Sequence, residues 1–216
     1  MVNKAVVFDL DGTLLNTLED LTDSTNSALR YCGYPERTID EIRRFVGNGI
    51  YKLIERAVPE NTDSENTKKC YDFFCTDYKK NMANKTKPYD GVDGLLKNLY
   101  DAGLKLAIVT NKADFAAQEL CGSLFGKYVK VVVGSDGVRP NKPAPDGVYY
   151  ALSKLGVSKE EAVFVGDSEV DIATAKNADI DCIGVLWGFR DKKDLEKVGV
   201  TKTAATAAEL QNMLLF

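Results

Sequence analysis

A short apolar segment, rich in β-branched residues, recurs along this chain and is followed each time by polar or acidic residues. Segments of this kind are typical of buried strands, and most of them precede a stretch compatible with a helix. The alternation predicts an α/β fold in which a parallel sheet carries helices on both faces. Ligands of such sheets bind beyond the carboxyl ends of the strands, where the polar residues collect. The segments are residues 5–8, 105–109, 128–133, 161–165 and 181–186.

The first segment leads into a pair of aspartates. Residues 6–13 read Val-Val-Phe-Asp-Leu-Asp-Gly-Thr, so that Asp9 and Asp11 stand two positions apart before Gly12. Residues i and i+2 of an extended chain point the same way, and both carboxylates can therefore face one small volume. Adjacent carboxylates repel unless a cation or a shared proton lies between them, which favours a hard metal ion such as Mg²⁺. The alternative is a solvated Asp-x-Asp-Gly turn.

Further polar groups follow the later segments. Residues 110–112 (Thr-Asn-Lys) follow the second, Lys142 lies in a proline-rich loop after the third, and Asp167 and Asp171 follow the fourth. Singly, Thr110 is explained as a cap hydroxyl, Lys142 as a solvated charge and the aspartates as residues of a first helical turn. Their coincidence at successive strand ends instead favours one site for phosphate and metal.

Four motifs in order carry a family resemblance: Asp-Leu-Asp-Gly-Thr-Leu at 9–14, Val-Thr-Asn-Lys at 109–112, Lys-Pro-Ala-Pro-Asp at 142–146 and Val-Gly-Asp-Ser-Glu-Val-Asp at 165–171. With these motifs, which span nearly the whole chain, the sequence resembles the haloacid dehalogenase-like (HAD) phosphatase superfamily, and within it the phosphoglycolate phosphatase group. The resemblance implies a Rossmann-like core and a small all-helical cap inserted after the first strand.

The resemblance also implies catalytic roles. Asp9 would attack phosphorus and form an aspartyl-phosphate, while Asp11 would protonate the leaving alkoxide and then activate water. Thr110, the Asn111 amide and Lys142 would hold the phosphoryl oxygens.

A magnesium site is implied by the same motifs. Mg²⁺ would be bound by the Asp9 side chain, the Asp11 backbone carbonyl and Asp167. Asp171 would hold a metal-bound water or steady the metal shell. The cofactor expected for the chain is therefore Mg²⁺.

The organisation of the sequence changes between residues 16 and 87. Apolar residues recur there at helical spacing, and no further parallel-strand pattern begins before Leu104. We predict a catalytic core formed by residues 1–15 and 88–216 and a helical cap formed by residues 16–87, with Pro88 at the return crossing. A cap excludes water from the site and shapes the pocket for the leaving group.

Substrate choice is expected to lie in this helical region. Gly49 and Asn48 belong to a Gly-Asn-Gly turn that can bring backbone amides close to an anion, and Arg44 is a candidate for binding an acidic leaving group. Arg43 and Lys52 flank the same turn. The alternative, that these charged residues form the solvated faces of two helices, carries equal weight.

Three weaker features lead to structural expectations. The aromatic residues between Tyr71 and Tyr78 are expected to form the core of the cap rather than a substrate platform. Asp179 stands where relatives usually carry Gly, which indicates an altered turn. The tail at residues 201–208 lacks an apolar run, and a sixth core strand is therefore not expected.

Composition excludes several function classes. The 216 residues include no His, which rules out Ser-His-Asp, Cys-His and histidine-phosphatase chemistries. The formal net charge is −4 and no basic cluster stands out, so neither nucleic acid nor a membrane is an expected partner. Five cysteines without a Cys-x-x-Cys pair, and no long apolar stretch, favour a reduced cytoplasmic protein. We expect a monomer or a weak homodimer.

The sequence thus predicts a Mg²⁺-dependent phosphomonoester hydrolase that acts on a small phosphorylated metabolite, with 2-phosphoglycolate as the first candidate. A pyrophosphatase or a nucleotide or sugar-phosphate phosphatase on the same core is the alternative. Asp11 argues against the dehalogenase branch of the superfamily, and the absence of His argues against its mutases. A non-catalytic phosphate-binding regulator is the alternative from another class, although Asp9, Asp11, Lys142 and Asp167 are all present.

Overall fold

A six-stranded sheet forms the centre of the protein, for which a computed structural model describes residues 3–216. The strand order is β5-β4-β1-β6-β7-β8 and all pairs are parallel. The six are β1 (Ala5–Phe8), β4 (Lys105–Ala113), β5 (Val129–Ser135), β6 (Ala162–Gly166), β7 (Asp181–Val185) and β8 (Thr203–Ala204); a separate antiparallel pair consists of β2 (Leu15–Asn16) and β3 (Lys87–Pro88).

Ten α-helices and one 3-10 turn (Lys159–Glu161) accompany these strands in the described residues. The helices are α1 (Leu18–Tyr31), α2 (Ile39–Phe45), α3 (Ile50–Ala57), α4 (Ser64–Asn81), α5 (Val92–Asp101), α6 (Asp114–Phe125), α7 (Asp146–Leu155), α8 (Glu169–Ala178), α9 (Lys192–Lys197) and α10 (Ala207–Leu215). No helix within residues 3–216 has both the length and the apolar character that crossing a membrane requires.

Both faces of the sheet are covered, which confirms the predicted α/β class. Val6 and Phe8 of β1 pack with α5, α6 and α10 on one face, whereas Ala5 and Val7 pack with α7 and α8 on the other. This alternation follows from the two-residue period of a strand. Strand β1 lies between β4 and β6, so the residues that follow it reach the middle of the carboxyl edge.

Two strand predictions need correction. The segment predicted to end at Val109 continues as β4 to Ala113, with irregular pairing to β5 between Val109 and Ala113. The expectation of no sixth strand was wrong, because Thr203 and Ala204 pair with Gly184 and Val185 as β8. Two residues with one buried alanine form too short a strand to leave an apolar run in the sequence.

The helices α1 to α4 lie between β2 and β3 and share an apolar cluster that includes Leu29, Ile54 and Phe74. The carboxylate of Asp20, on α1, accepts hydrogen bonds from the backbone N–H groups of residues 85 and 86, just before the chain returns to the sheet. The division into a core (1–15 and 88–216) and a cap (16–87) remains our proposal for the domains.

The turn after α8 is unusual. Asp179 ends the helix in the left-handed conformation with φ of 54°. Glycine adopts this conformation most readily, which is the physical reason that a Gly is usual at such a position. The Asp179 carboxylate contacts Lys159 Nζ at 2.6 Å.

Candidate active site

The carboxyl ends of β1, β4 and β6 meet below a cleft that is roofed by α1, α3 and α4. The cleft encloses about 590 Å³, including space open to solvent. Polar groups form its floor, and apolar side chains of the helical region form much of its opposite wall. The floor residues include Asp9, Asp11, Thr110, Asn111, Lys112, Lys142 and Asp167, and the apolar wall includes Leu21, Val46, Ile50, Leu53 and Phe189.

Three carboxylates lie together at the floor. Single oxygens of Asp9, Asp167 and Asp171 are all within 4.8 Å of one another, and all three residues are buried. Asp167 accepts hydrogen bonds from Thr13 Oγ1 (3.1 Å) and the Phe189 N–H (2.7 Å). These two contacts fix the orientation of the Asp167 carboxylate.

Asp171 is held by the start of its own helix. Its Oδ2 accepts hydrogen bonds from the N–H (3.0 Å) and the hydroxyl (2.7 Å) of Ser168, while its Oδ1 accepts one from Lys142 Nζ (2.6 Å). The ammonium of Lys142 also lies 2.7 Å from Asp9 Oδ1 and forms an ion pair with it. Asp9 Oδ1 is therefore buried with the ammonium of Lys142 as its polar contact among the described residues.

The charges of this cluster do not balance. The three carboxylates share the single ammonium of Lys142, which contacts Asp9 and Asp171 and whose side chain is 4% exposed. Burial and the negative charge of Asp171 raise the pKa of Asp9 to about 7, and burial together with Asp171 raises the pKa of Asp167 well above its usual range. An oxygen-lined, buried, negatively charged site fits a divalent cation.

Asp11 points elsewhere. Its carboxylate accepts hydrogen bonds from Lys112 Nζ at 2.9 and 3.2 Å, and the same ammonium donates to Tyr78 Oη at 2.6 Å. Burial lowers the pKa of Lys112, but Asp11 and Tyr78 outweigh it and hold that pKa above its usual value, so Lys112 is charged. The side chain of Asp11 thus forms an ion pair beside the carboxylate cluster and is not part of it.

Asn111 and Thr110 lie in the last part of β4. The Asn111 amide donates to Gly47 O and Lys142 O, at 2.9 Å each, and its Oδ1 accepts the Lys142 N–H at 2.8 Å. Asn111 therefore braces the Lys142 loop and the Gly47 turn. Thr110 is buried and lines the cleft, and its hydroxyl oxygen accepts the Lys112 N–H at 3.2 Å.

The helical candidates are only partly brought to the cleft. Gly49 lines the cleft, but Asn48 and Arg44 do not. The side chain of Asn48 accepts a hydrogen bond from Arg56, and the side chain of Arg44 is exposed. Arg43 and Lys52 form surface ion pairs with Asp40 and Glu55. Instead, the guanidinium of Arg190 lines the cleft.

Arg190 joins the two sides of the cleft. It pairs with Glu169 at 2.9 Å and donates to the backbone oxygens of Arg43 and Val46. The sequence indicates no role for Lys112, and helical spacing places Tyr78 in the apolar core. Tyr78 does belong to that core, but its hydroxyl also reaches the cleft. Helical spacing predicts that residue 78 is buried, but it does not predict that the Tyr78 hydroxyl lies at the cleft.

Gly188 leaves room for Asp167. A Cβ at residue 188 would overlap both the Asp167 side chain and the backbone oxygen of Gly12. We therefore expect Gly188→Ala to lower the free energy of unfolding by about 1–3 kcal/mol and to displace the Asp167 carboxylate. The matched control is Gly94→Ala within α5, where the added Cβ meets nothing within 4 Å and helix propensity favours alanine by up to about 1 kcal/mol. Urea unfolding of both variants makes the comparison, and equal stabilities would contradict this account of Gly188.

Comparisons with known proteins agree with this arrangement. The family model described as haloacid dehalogenase-like hydrolase matches residues 6–185. A phosphoglycolate phosphatase from Psychrobacter arcticus is 34% identical over all of this chain and 97% of the relative, and one from Colwellia psychrerythraea is 34% identical over 91% of this chain and 90% of the relative.

Solved structures agree as well. A crystal structure from Lactobacillus delbrueckii subsp. bulgaricus matches with a TM-score of 0.95 and 33% identity, covering 100% of this chain and 99% of the other. A predicted phosphoglycolate phosphatase from Haemophilus somnus matches with a TM-score of 0.90 and 28% identity, covering 98% and 97%. The resemblance stated from the motifs is thereby confirmed. The chain belongs to the haloacid dehalogenase-like hydrolase family, as an enzyme of the phosphoric monoester hydrolase class.

Proposed function

We propose that this protein is a Mg²⁺-dependent phosphatase that acts through an aspartyl-phosphate, with 2-phosphoglycolate as its substrate. The observation that carries the proposal is the floor of the cleft, where the buried carboxylate of Asp9 lies against Lys142 and within 4.8 Å of Asp167 and Asp171. The Asp9 carboxylate lies at the base of the cleft, with Lys142 2.7 Å from its Oδ1, and it can attack a phosphorus atom that is bound there.

The chain supplies the groups for two successive displacements. The carboxylate of Asp9 attacks phosphorus, the bond from phosphorus to the ester oxygen breaks, and Asp11 in its protonated form gives a proton to the leaving alkoxide. Water then attacks the phosphoryl group of the aspartyl-phosphate and gives a proton to Asp11. The bond to Asp9 breaks, and inorganic phosphate leaves.

Binding and charge neutralisation come from the surrounding residues. Lys142 is positioned against Asp9 and would contact a phosphoryl oxygen there, and Thr110 lines the same floor. A divalent cation, when held by Asp9, Asp167 and the Asp11 carbonyl with Asp171 steadying it, would neutralise the phosphoryl charge. The oxygen-only ligand set favours Mg²⁺ over softer metals.

The names of the relatives and the composition of the cleft support the substrate proposal. The P. arcticus and C. psychrerythraea relatives carry the name phosphoglycolate phosphatase. The apolar wall leaves little polar surface to bind the hydroxyl groups of a sugar, which argues against sugar phosphates as substrates.

The test is phosphate release from a panel of compounds with added Mg²⁺. The panel contains 2-phosphoglycolate, pyrophosphate, nucleoside monophosphates, sugar phosphates and p-nitrophenyl phosphate. We expect the highest kcat/KM for 2-phosphoglycolate, and loss of release when a chelator removes the metal. A low and even profile would contradict the substrate, and release that persists in chelator would contradict the metal requirement. No release from any compound would favour a non-catalytic phosphate-binding protein.

A further inference from the structure

The ion pair between Lys112 and Asp11 has an unusual setting. The side chain of Lys112 is only 2% exposed, and its ammonium donates to both oxygens of Asp11 and to Tyr78 Oη. A buried ammonium is costly unless partners replace its water, and here all three of its protons have acceptors. Nothing in the proposed binding of phosphate or metal requires this buried charge.

Hydrogen bonds from Lys112 fix the orientation of the Asp11 carboxylate. In the part of the chain that the structure describes, Lys112 is the only residue that donates a hydrogen bond to the Asp11 carboxylate. The irregular pairing of β4 between Val109 and Ala113 is of the kind that turns a side chain away from strict alternation. Residue 112 lies within this irregular stretch, and its ammonium reaches Asp11 in the turn that follows β1.

Tyr78 fixes Lys112 in turn. Its ring is fully buried and stacks on Phe74 at 5.2 Å, and its hydroxyl lies 2.6 Å from Lys112 Nζ. The ammonium therefore donates to the hydroxyl of a residue whose ring is itself held by packing, which limits the positions that the ammonium can take. Since Tyr78 belongs to α4, the orientation of a group at the sheet edge depends on a residue of the helical region.

We propose that Lys112 and Tyr78 are positioning residues that fix the Asp11 carboxylate for proton transfer in both halves of the reaction. The proposal rests on the proposed function, in which Asp11 is the acid and then the base. Lys112 and Tyr78 touch neither phosphorus nor the nucleophile in this scheme. Their loss should slow the steps that need Asp11 and leave the attack by Asp9 intact.

The test separates the two steps by single-turnover kinetics, with enzyme in excess over p-nitrophenyl phosphate. Release of p-nitrophenol reports the attack by Asp9, and it needs no acid because p-nitrophenolate is a good leaving group. Release of inorganic phosphate reports hydrolysis of the aspartyl-phosphate, which needs Asp11 as base. An alkyl phosphate in steady state reports the step that needs Asp11 as acid.

For Tyr78→Phe we expect an unchanged rate of p-nitrophenol release, with inorganic phosphate release and alkyl ester kcat each about tenfold lower. KM should stay near its original value, because the proposal gives Tyr78 no contact with the substrate. Lys112→Met should show the same pattern with losses of about 100-fold. The matched control is Tyr71→Phe, which removes a hydroxyl from the same helix at a residue that does not line the cleft, and it should behave as the unmodified protein.

Two results would overturn the proposal. One is unchanged kinetics of Tyr78→Phe in all three measurements. The other is an equal loss in p-nitrophenol release, which would mean that the variants disturb the whole site. Failure of the proposed function is recognised separately, because the unmodified protein would then release no p-nitrophenol or would release it equally well as Asp9→Asn.

Discussion

Replacing Asp9 with asparagine is expected to lower kcat by about 10⁴-fold or more without unfolding the protein. The amide lacks the anionic oxygen that attacks phosphorus, so no aspartyl-phosphate forms. Burial and Asp171 raise the pKa of Asp9 to about 7, which means that the charged form is already disfavoured in the folded protein. A neutral side chain of the same shape therefore costs little stability. Phosphate release and thermal unfolding in metal-free buffer are the measurements.

The two readouts keep catalysis apart from folding. We expect the Tm of Asp9→Asn to be no lower than that of the unmodified protein, since Lys142 retains Asp171 as a partner at 2.6 Å. Retained phosphate release at an unchanged Tm would exclude Asp9 as the nucleophile. A strongly lowered Tm would instead show that Asp9 serves mainly to pair with Lys142.

The carboxylate cluster could be predicted from sequence because parallel strands bring their carboxyl ends to one edge. Asp9 follows β1 and Asp167 follows β6, and these strands are neighbours in the sheet. Residues that depend only on this topology need no knowledge of side-chain packing. Lys142 lies in a loop, and its position beside the carboxylates was predicted from the Lys-Pro-Ala-Pro-Asp motif rather than from the topology of the sheet.

The contacts of the site that could not be predicted from the sequence depend on how the helices are oriented over the sheet. Arg44 lies on the exposed side of α2. The sequence did not determine which side of this helix faces the cleft. The contact between Tyr78 and Lys112 joins residues 34 positions apart, and it forms only because α4 packs above the end of β4. Arg190 follows the last of the predicted strands, but its contact with Val46 requires the helical region to lie over the sheet.

Replacing Lys142 with methionine is expected to have the largest effect on stability. The ammonium lies 2.6 Å from Asp171 and 2.7 Å from Asp9, with a side chain that is 4% exposed. Without it, buried carboxylates face one another uncompensated, and removing one partner from a buried ion pair costs about 3–5 kcal/mol. This corresponds to a fall in Tm of roughly 10 °C for a domain of this size. Differential scanning calorimetry in chelator-treated buffer measures it.

The matched control is Lys202→Met, which removes an ammonium from an exposed ion pair with Asp181 at 2.8 Å. Water already solvates both partners there, and the loss should stay below about 1 kcal/mol. Lys142→Met should also lower kcat by about 10²–10³-fold, because a donor aimed at the phosphoryl oxygens is lost. Equal Tm values for the two variants would mean that the carboxylates around Lys142 are already neutralised by protons. Lys142 would then serve catalysis alone, and its short contacts with Asp9 and Asp171 would add nothing to stability.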